Sequence, residues 1–135
     1  MKNNIKYIFL VICILLFSAN FSYSDEFNFE ASEIQILNNG NTLKAINGVK
    51  IQTNDGIKID AEQFEYDKTT LILIAKGKVK IIDELNQLIV NAPEIIYFKN
   101  KDTILTKGKT TGLIQDYYNF KTRDLLFDRK KMEII

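Results

Sequence analysis

The chain has no histidine and no tryptophan, and only one cysteine and one proline among 135 residues. Without histidine, the usual general base, the usual catalytic triad and the commonest metal ligand drop out together. The one cysteine, Cys13, sits in an apolar run near the N-terminus, without the small residues that should precede a lipoprotein cysteine. The rest of the chain has no thiol, which excludes a disulfide framework and a thiolate metal site. No excess of one charge exists either: 18 Lys and Arg stand against 17 Asp and Glu. Nucleic-acid binding, which rests on a clear basic surplus, is not expected. No glycine-rich phosphate loop, zinc signature or nucleophile elbow appears. Carboxylate-only catalysis needs two acids converging in a cleft. Asp60, Glu62, Glu65 and Asp67 instead fall on strand faces and turns of a repeat, where they read as solvated structural groups. Asn38-Asn39-Gly40-Asn41 lacks the carboxylates of a calcium loop and reads as a plain turn. The expectation is a non-enzyme with no cofactor and no metal.

Long hydrophobic stretches are also scarce. Ile8 to Phe17 is the one unbroken apolar run, preceded by Lys2 and Lys6 and followed by Ser22-Tyr23-Ser24. It is short for a membrane span, which needs about 20 residues, and has the layout of an export signal. Residues 1–24 are therefore expected to be a signal peptide cleaved before Asp25, the alternative being an uncleaved anchor at the inner membrane. Its removal takes two lysines and no acid, leaving a net charge of −1.

What is present is an internal repeat, the first thing to look for because it decides the fold. Ile59-Asp60-Ala61-Glu62-Gln63-Phe64-Glu65-Tyr66 has counterparts at Phe29–Ile36, Val90–Tyr97 and Phe120–Phe127, about thirty residues apart. Each copy has an apolar residue, a second position two later that is small in the first three copies (Ala31, Ala61, Ala92), then apolar residues three and five beyond. The second half of the unit repeats too: Leu43, Ala45, Val49 and Ile51 match Leu73, Ala75, Val79 and Ile81. A third copy runs from Ile104 to Gly112, and a fourth begins with Met132 and Ile134. Asn39-Gly40 and Asp55-Gly56 supply turn residues that tolerate positive φ, and Asp67-Lys68, Asn100-Lys101-Asp102 and Asp128-Arg129-Lys130 fall at turns of other units.

Alternation assigns the faces, since strand side chains point to opposite sides with period two. Leu71, Leu73, Ala75, Val79 and Ile81 share one parity, and Lys76, Lys78 and Lys80 the other. Ile57, Ile59 and Ala61 share a face, but Phe64 and Tyr66 fall on the opposite parity. A bulge or corner is needed between Ala61 and Phe64, and Pro93 sits inside the equivalent corner of the next unit. No segment after residue 24 holds a 3.6-residue period, so residues 25–135 are expected to form one all-β domain. Lys76, Lys78, Lys80, Lys107 and Lys109 form a basic stripe, read as a solvated face that discourages edge aggregation. Its functional alternative is contact with lipid phosphates or an anionic membrane. The aromatics Phe64, Tyr66, Tyr97, Tyr118, Phe120 and Phe127 are core or lipid lining. The third unit has Thr110 and Gly112 where the second has Val79 and Ile81, a change that marks a widening or an end.

Ile59 to Asp67, followed by Ala75-Lys76-Gly77-Lys78-Val79, resembles the unit of the OstA/LptA superfamily of lipopolysaccharide transport. There an Ala-Asp pair and a nearby aromatic precede Ala-x-Gly-Asn-Val. The resemblance runs from about Phe27 to the end, with Glu62, Ser32 and Pro93 where Asp is usual and Lys78 in place of Asn. It implies an antiparallel, twisted β-jellyroll, solenoid-like and open like a V, at about 30 residues per repeat. Its apolar interior would shelter the acyl chains of lipopolysaccharide (lipid A). Like domains would join by edge-strand pairing into a periplasmic bridge, close to a membrane at its ends. The lining expected from parity is Ile57, Ile59, Ala61, Phe64, Tyr66, Leu71, Leu73, Ala75, Val79, Ile81, Leu88, Val90, Ile95 and Tyr97. The chain stops inside its fourth unit, which favours the periplasmic N-terminal region of LptD over the soluble LptA-type link. Localisation is then the periplasm or the periplasmic face of the outer membrane. The competing readings are a structural β-repeat without lipid cargo and a carboxylate hydrolase on the same scaffold.

Overall fold

The computed structural model describes residues 27–135, so the expected signal segment lies outside the described residues. Within them, ten strands join in one open antiparallel sheet. The long strands are β1 (Phe27–Leu37), β2 (Thr42–Thr53), β3 (Ile57–Asp67), β4 (Ile72–Asp83) and β5 (Leu88–Phe98). The short ones are β6 (Thr103–Lys107), β7 (Thr110–Ile114), β8 (Tyr118–Thr122), β9 (Leu125–Asp128) and β10 (Glu133–Ile134). This is the all-β jellyroll expected from the sequence, with β1 at one edge and β8 and β10 at the other.

Every long strand is bent at its middle. The β3–β4 register slips between Asp60 and Gln63, and the β4–β5 register between Lys76 and Val79. Asn47-Gly48 and Gly77-Lys78 turn these corners in the left-handed region, which is why a glycine belongs to each pair. At Gly77 an added Cβ would run into the Glu62 side chain. Pro93 stands in the β5 corner, where no ladder bond is lost. Past the corner the inward parity changes, as Phe64 and Tyr66 require.

The corners divide the sheet into two facing halves. The beginning of β5 pairs with β7 and its end with β6. The first half-sheet thus comprises the start of β1, the end of β2, the start of β3, the end of β4, the start of β5, then β7 and β8. The second holds the complementary segments with β6, β9 and β10. Phe27 and Phe29 of the first half touch Tyr66 and Phe64 of the second across the interior. Successive turns are tied by backbone bonds that repeat with the unit: Lys68 N to Asn41 O (2.8 Å), Lys99 N to Leu71 O (3.0 Å) and Arg129 N to Asp102 O (3.1 Å). On the outer surface, the strands up to β3 present mostly charged and amide side chains. Strands β4, β5, β6 and β9 instead carry a half-buried row of Ile74, Ile96, Leu105 and Leu126.

Candidate functional site

Cross-strand register turns alternation into continuous apolar rows. In the first half-sheet, Phe29, Ile51, Ile59, Ile81 and Val90 stand opposite one another in turn. In the second, Leu43, Tyr66, Leu73, Tyr97, Ile104 and Phe127 do the same. At a strand spacing of about 4.8 Å, the five steps of the second row span roughly 24 Å at right angles to the strands. The interior is therefore an elongated apolar body running from the β1 edge to the β8–β10 edge.

Of the fourteen residues expected to line a groove, thirteen lie in the buried core: Ile57, Ile59, Ala61, Phe64, Tyr66, Leu73, Ala75, Val79, Ile81, Leu88, Val90, Ile95 and Tyr97. Leu71 is placed differently, half-buried in the β3–β4 turn with φ of 56°, packed against the core from its margin. The interior is tightly filled, with Leu73, Ile57 and Ile95 all 0% exposed. Phe27, Ala45, Val49, Ile51, Ala92, Ile104, Leu125 and Phe127 share the core. The repeat carried the signal for them, since Val49 and Ile51 are the counterparts of Val79 and Ile81.

The two ends of the interior differ. At the β1 edge Phe29 stacks on Phe64 with centroids 4.6 Å apart, and Phe27 meets Tyr66 edge-on at 4.7 Å. At the other end Phe120 lies over Gly112, filling the space where the third unit loses its aliphatic side chain. Nearby, buried Thr106 and Thr110 share a hydroxyl–hydroxyl bond of 2.7 Å, and Leu125 N donates to Thr106 Oγ1 at 2.9 Å. The basic stripe is partly neutralised: Glu94 sits between Lys76 (3.6 Å) and Lys107 (3.2 Å), and Lys78 lies 3.7 Å from Glu62.

A feature that sequence reasoning missed closes the side opposite the corners. Arg129, in a stretch read as a turn, has a side chain only 2% exposed. Its Nε donates to Asp83 Oδ2 at 2.7 Å, and its Nη1 to Asp55 Oδ2 at 2.8 Å and Asp102 Oδ1 at 2.6 Å. The Tyr97 hydroxyl donates to Asp102 at 2.9 Å, so its ring belongs to the core and its oxygen to this cluster. Lys99 adds an ion pair to Asp55 at 3.4 Å and lies 5.8 Å from the Phe27 ring centroid. Burial alone would lower the basicity of Arg129, but hydrogen bonds with Asp83, Asp55 and Asp102 raise it. Burial would raise the Asp55 carboxyl, but bonds from Thr53 and Arg129 and the charges of Lys99 and Arg129 hold it at about 2. Burial and the neighbouring Asp102 and Asp55 charges push the Tyr97 hydroxyl well above its ordinary value. One guanidinium and one ammonium thus stand among three carboxylates, tying all three into a fixed ion-pair network. Among the described residues no group of acidic side chains is placed to hold a metal ion. Asp67, named as a carboxylate candidate, accepts from Thr69 N and Thr70 N in its own turn, which lowers its pKa.

No protein-family model matches the chain, and no curated protein matches its sequence. Among solved structures it is similar to LptH, described as the LptA-homologous periplasmic component of the conserved lipopolysaccharide transport device from Pseudomonas aeruginosa. The TM-score is 0.70 at 11% identity, over 81% of this chain and 80% of that one. The chain has the LptH fold. At that identity the likeness resides in backbone architecture, and the LptA-like jellyroll expected from the repeat is what the two share. Most LptH side chains are replaced here, so what the interior holds has to be argued from this chain's own residues.

Proposed function

We propose that this chain is a periplasmic module of lipopolysaccharide transport, sheltering acyl chains between its half-sheets and docking edge to edge with like domains. The observation that carries the reading is the pair of unbroken apolar rows between two unclosed sheet edges. Exposing an acyl chain to water costs about 0.8 kcal/mol per methylene, or roughly 8 kcal/mol for about ten. A row that offers a new apolar side chain at every strand offsets that cost at each step, so cargo moves without leaving shelter. Ile34 and Ile36, 42% and 67% exposed on β1, prolong the second half-sheet's inward face to its edge. A neighbouring strand paired there would cover them, continuing the apolar row into the next domain. The likeness to LptH supports this reading at the level of fold. Both a soluble link and an LptD N-terminal domain fit it.

A photoreactive residue at Leu73 or Val79 should capture lipopolysaccharide in cells, and one at Ile134 should capture the neighbour on the other edge. A β-barrel following in the same polypeptide identifies the LptD form, whereas a barrel-bearing neighbour captured at Ile134 as a separate chain identifies the soluble link. Interior probes that never capture lipid while the Ile134 probe reacts would sink the carrier role. That result would favour the second reading, a structural β-repeat with a dry core. The close packing around Leu73 and Ile95 is the observation in its favour.

A further inference from the structure

The strands fold over at their corners, so the interior has a lateral mouth along the side where the turns of the two half-sheets meet. Asp55 and Asp83 belong to the turn end of the first half-sheet, and Tyr97, Lys99, Asp102 and Arg129 to that of the second. Three ion pairs cross this mouth among the described residues: Arg129–Asp83, Arg129–Asp55 and Lys99–Asp55. Their sequence separations, 46 and 74 residues for the two Arg129 pairs, confirm that they join distant units and not neighbouring strands. Every nitrogen of the guanidinium is used: Nε and Nη2 face the two oxygens of Asp83, at 2.7 and 3.5 Å, and Nη2 also meets Asp55 O at 3.4 Å. Asp83 is 0% exposed and is held from behind by Asn86, through its backbone N at 3.2 Å and its Nδ2 at 2.7 Å.

We propose that Arg129 is a clasp that pins the lateral mouth shut, tying the turn of the fourth unit to the turns that follow the first and second units, and that its release admits apolar cargo from the side. The corners supply a hinge, because the bulges interrupt the ladder in β2, β3, β4 and β5 at the same level. The core beneath the mouth is apolar, without ion pairs to fix one separation, so it separates gradually, whereas a guanidinium–carboxylate pair has one geometry and holds or lets go. Tyr97 links the two layers, with its ring beside Leu73 in the row below and its hydroxyl on Asp102 above. Loss of the clasp therefore also removes the cation that faces the Tyr97 hydroxyl at 3.4 Å in the middle of the apolar row. The gating role rests on the carrier reading; the clasp itself does not.

The test uses the full chain with Cys13→Ser and nitroxide labels at Leu85→Cys and Lys130→Cys, both exposed and on opposite lips of the mouth. A control pair at Leu85→Cys and Tyr117→Cys lies within the first half-sheet. With Arg129 intact the cross-mouth pair should give one narrow distance. Arg129→Gln should add a population at longer distance without altering the control pair, and should speed uptake of the apolar fluorophore N-phenylnaphthylamine several-fold. Because removing a buried cation risks unfolding, Asp55→Asn serves as the milder variant; it leaves the Asp83 and Asp102 bonds in place and should give a smaller shift in the same direction. An unchanged cross-mouth distance in both variants, with the control pair intact, overturns the clasp. Lips that part with no uptake by any variant overturn the carrier reading and the gating role with it, and leave the clasp standing.

Discussion

Gly112 has no room for a methyl group, because an added Cβ would fall inside the Phe120 ring. Gly112→Ala must push that ring outward and uncover the end of the core. Overpacking of this kind costs about 1–3 kcal/mol, which a denaturant titration would read as a lower midpoint with an unchanged slope. Deleting bulk is felt as strongly. Leu73 is 0% exposed, and Leu73→Ala should cost about 2–5 kcal/mol. At this scale the sequence was legible where alternation holds and opaque where chemistry is non-local. Parity placed Leu73 and Val79 on the inward face. In Ile95-Ile96-Tyr97-Phe98 both faces are apolar, and it is the repeat match to Phe64 and Tyr66 that sets Ile95 and Tyr97 inward, where the structure buries them. Arg129 was invisible. Its local setting, Asp128-Arg129-Lys130, has the composition of any solvated turn, and its partners sit 46 and 74 positions away.

Among the elements, the short strands of the third and fourth units are the informative ones. Where β4 and β5 run through their corners, the equivalent path is split into β6 and β7 around Gly108, and into β8 and β9 around Arg123-Asp124. Two buried hydroxyls hold the split together, Thr106 bridging from Thr110 to the backbone N of Leu125. Thr106→Val keeps the shape but leaves Leu125 N–H buried without its acceptor, a loss of about 1–3 kcal/mol. Thr106→Ser should recover most of it, and hydrogen exchange at the Leu125 amide should report the difference directly. The bent corner was readable from the parity change between Ala61 and Phe64 and from the lone proline. The splitting was not, because Thr106, Thr110 and Gly112 look like a decayed copy of Ala75, Val79 and Ile81 until Phe120 is seen lying on the glycine.

For the whole molecule, the repeat of about thirty residues was enough to give the architecture, because each unit is one hairpin and stacking hairpins buries a continuous face. What the repeat could not give is how the halves are held together, and that governs acid stability. Asp55 has an ordinary carboxylate pKa of 3.8 in the unfolded chain and about 2 when bound to Thr53 and Arg129. The folded state therefore holds this proton less tightly than the unfolded state does. Its stabilising contribution is complete above the unfolded value and disappears as the pH falls through about 2. The side chain is 36% exposed, so solvent screening reduces that contribution to on the order of 1 kcal/mol. Between pH 5 and pH 2, urea titrations of the native chain and of Asp55→Asn should converge. The variant lacks the titrating group and should start lower and lose less, and equal losses across that interval would mean that the cross-mouth pairs do not set the acid limit of the fold.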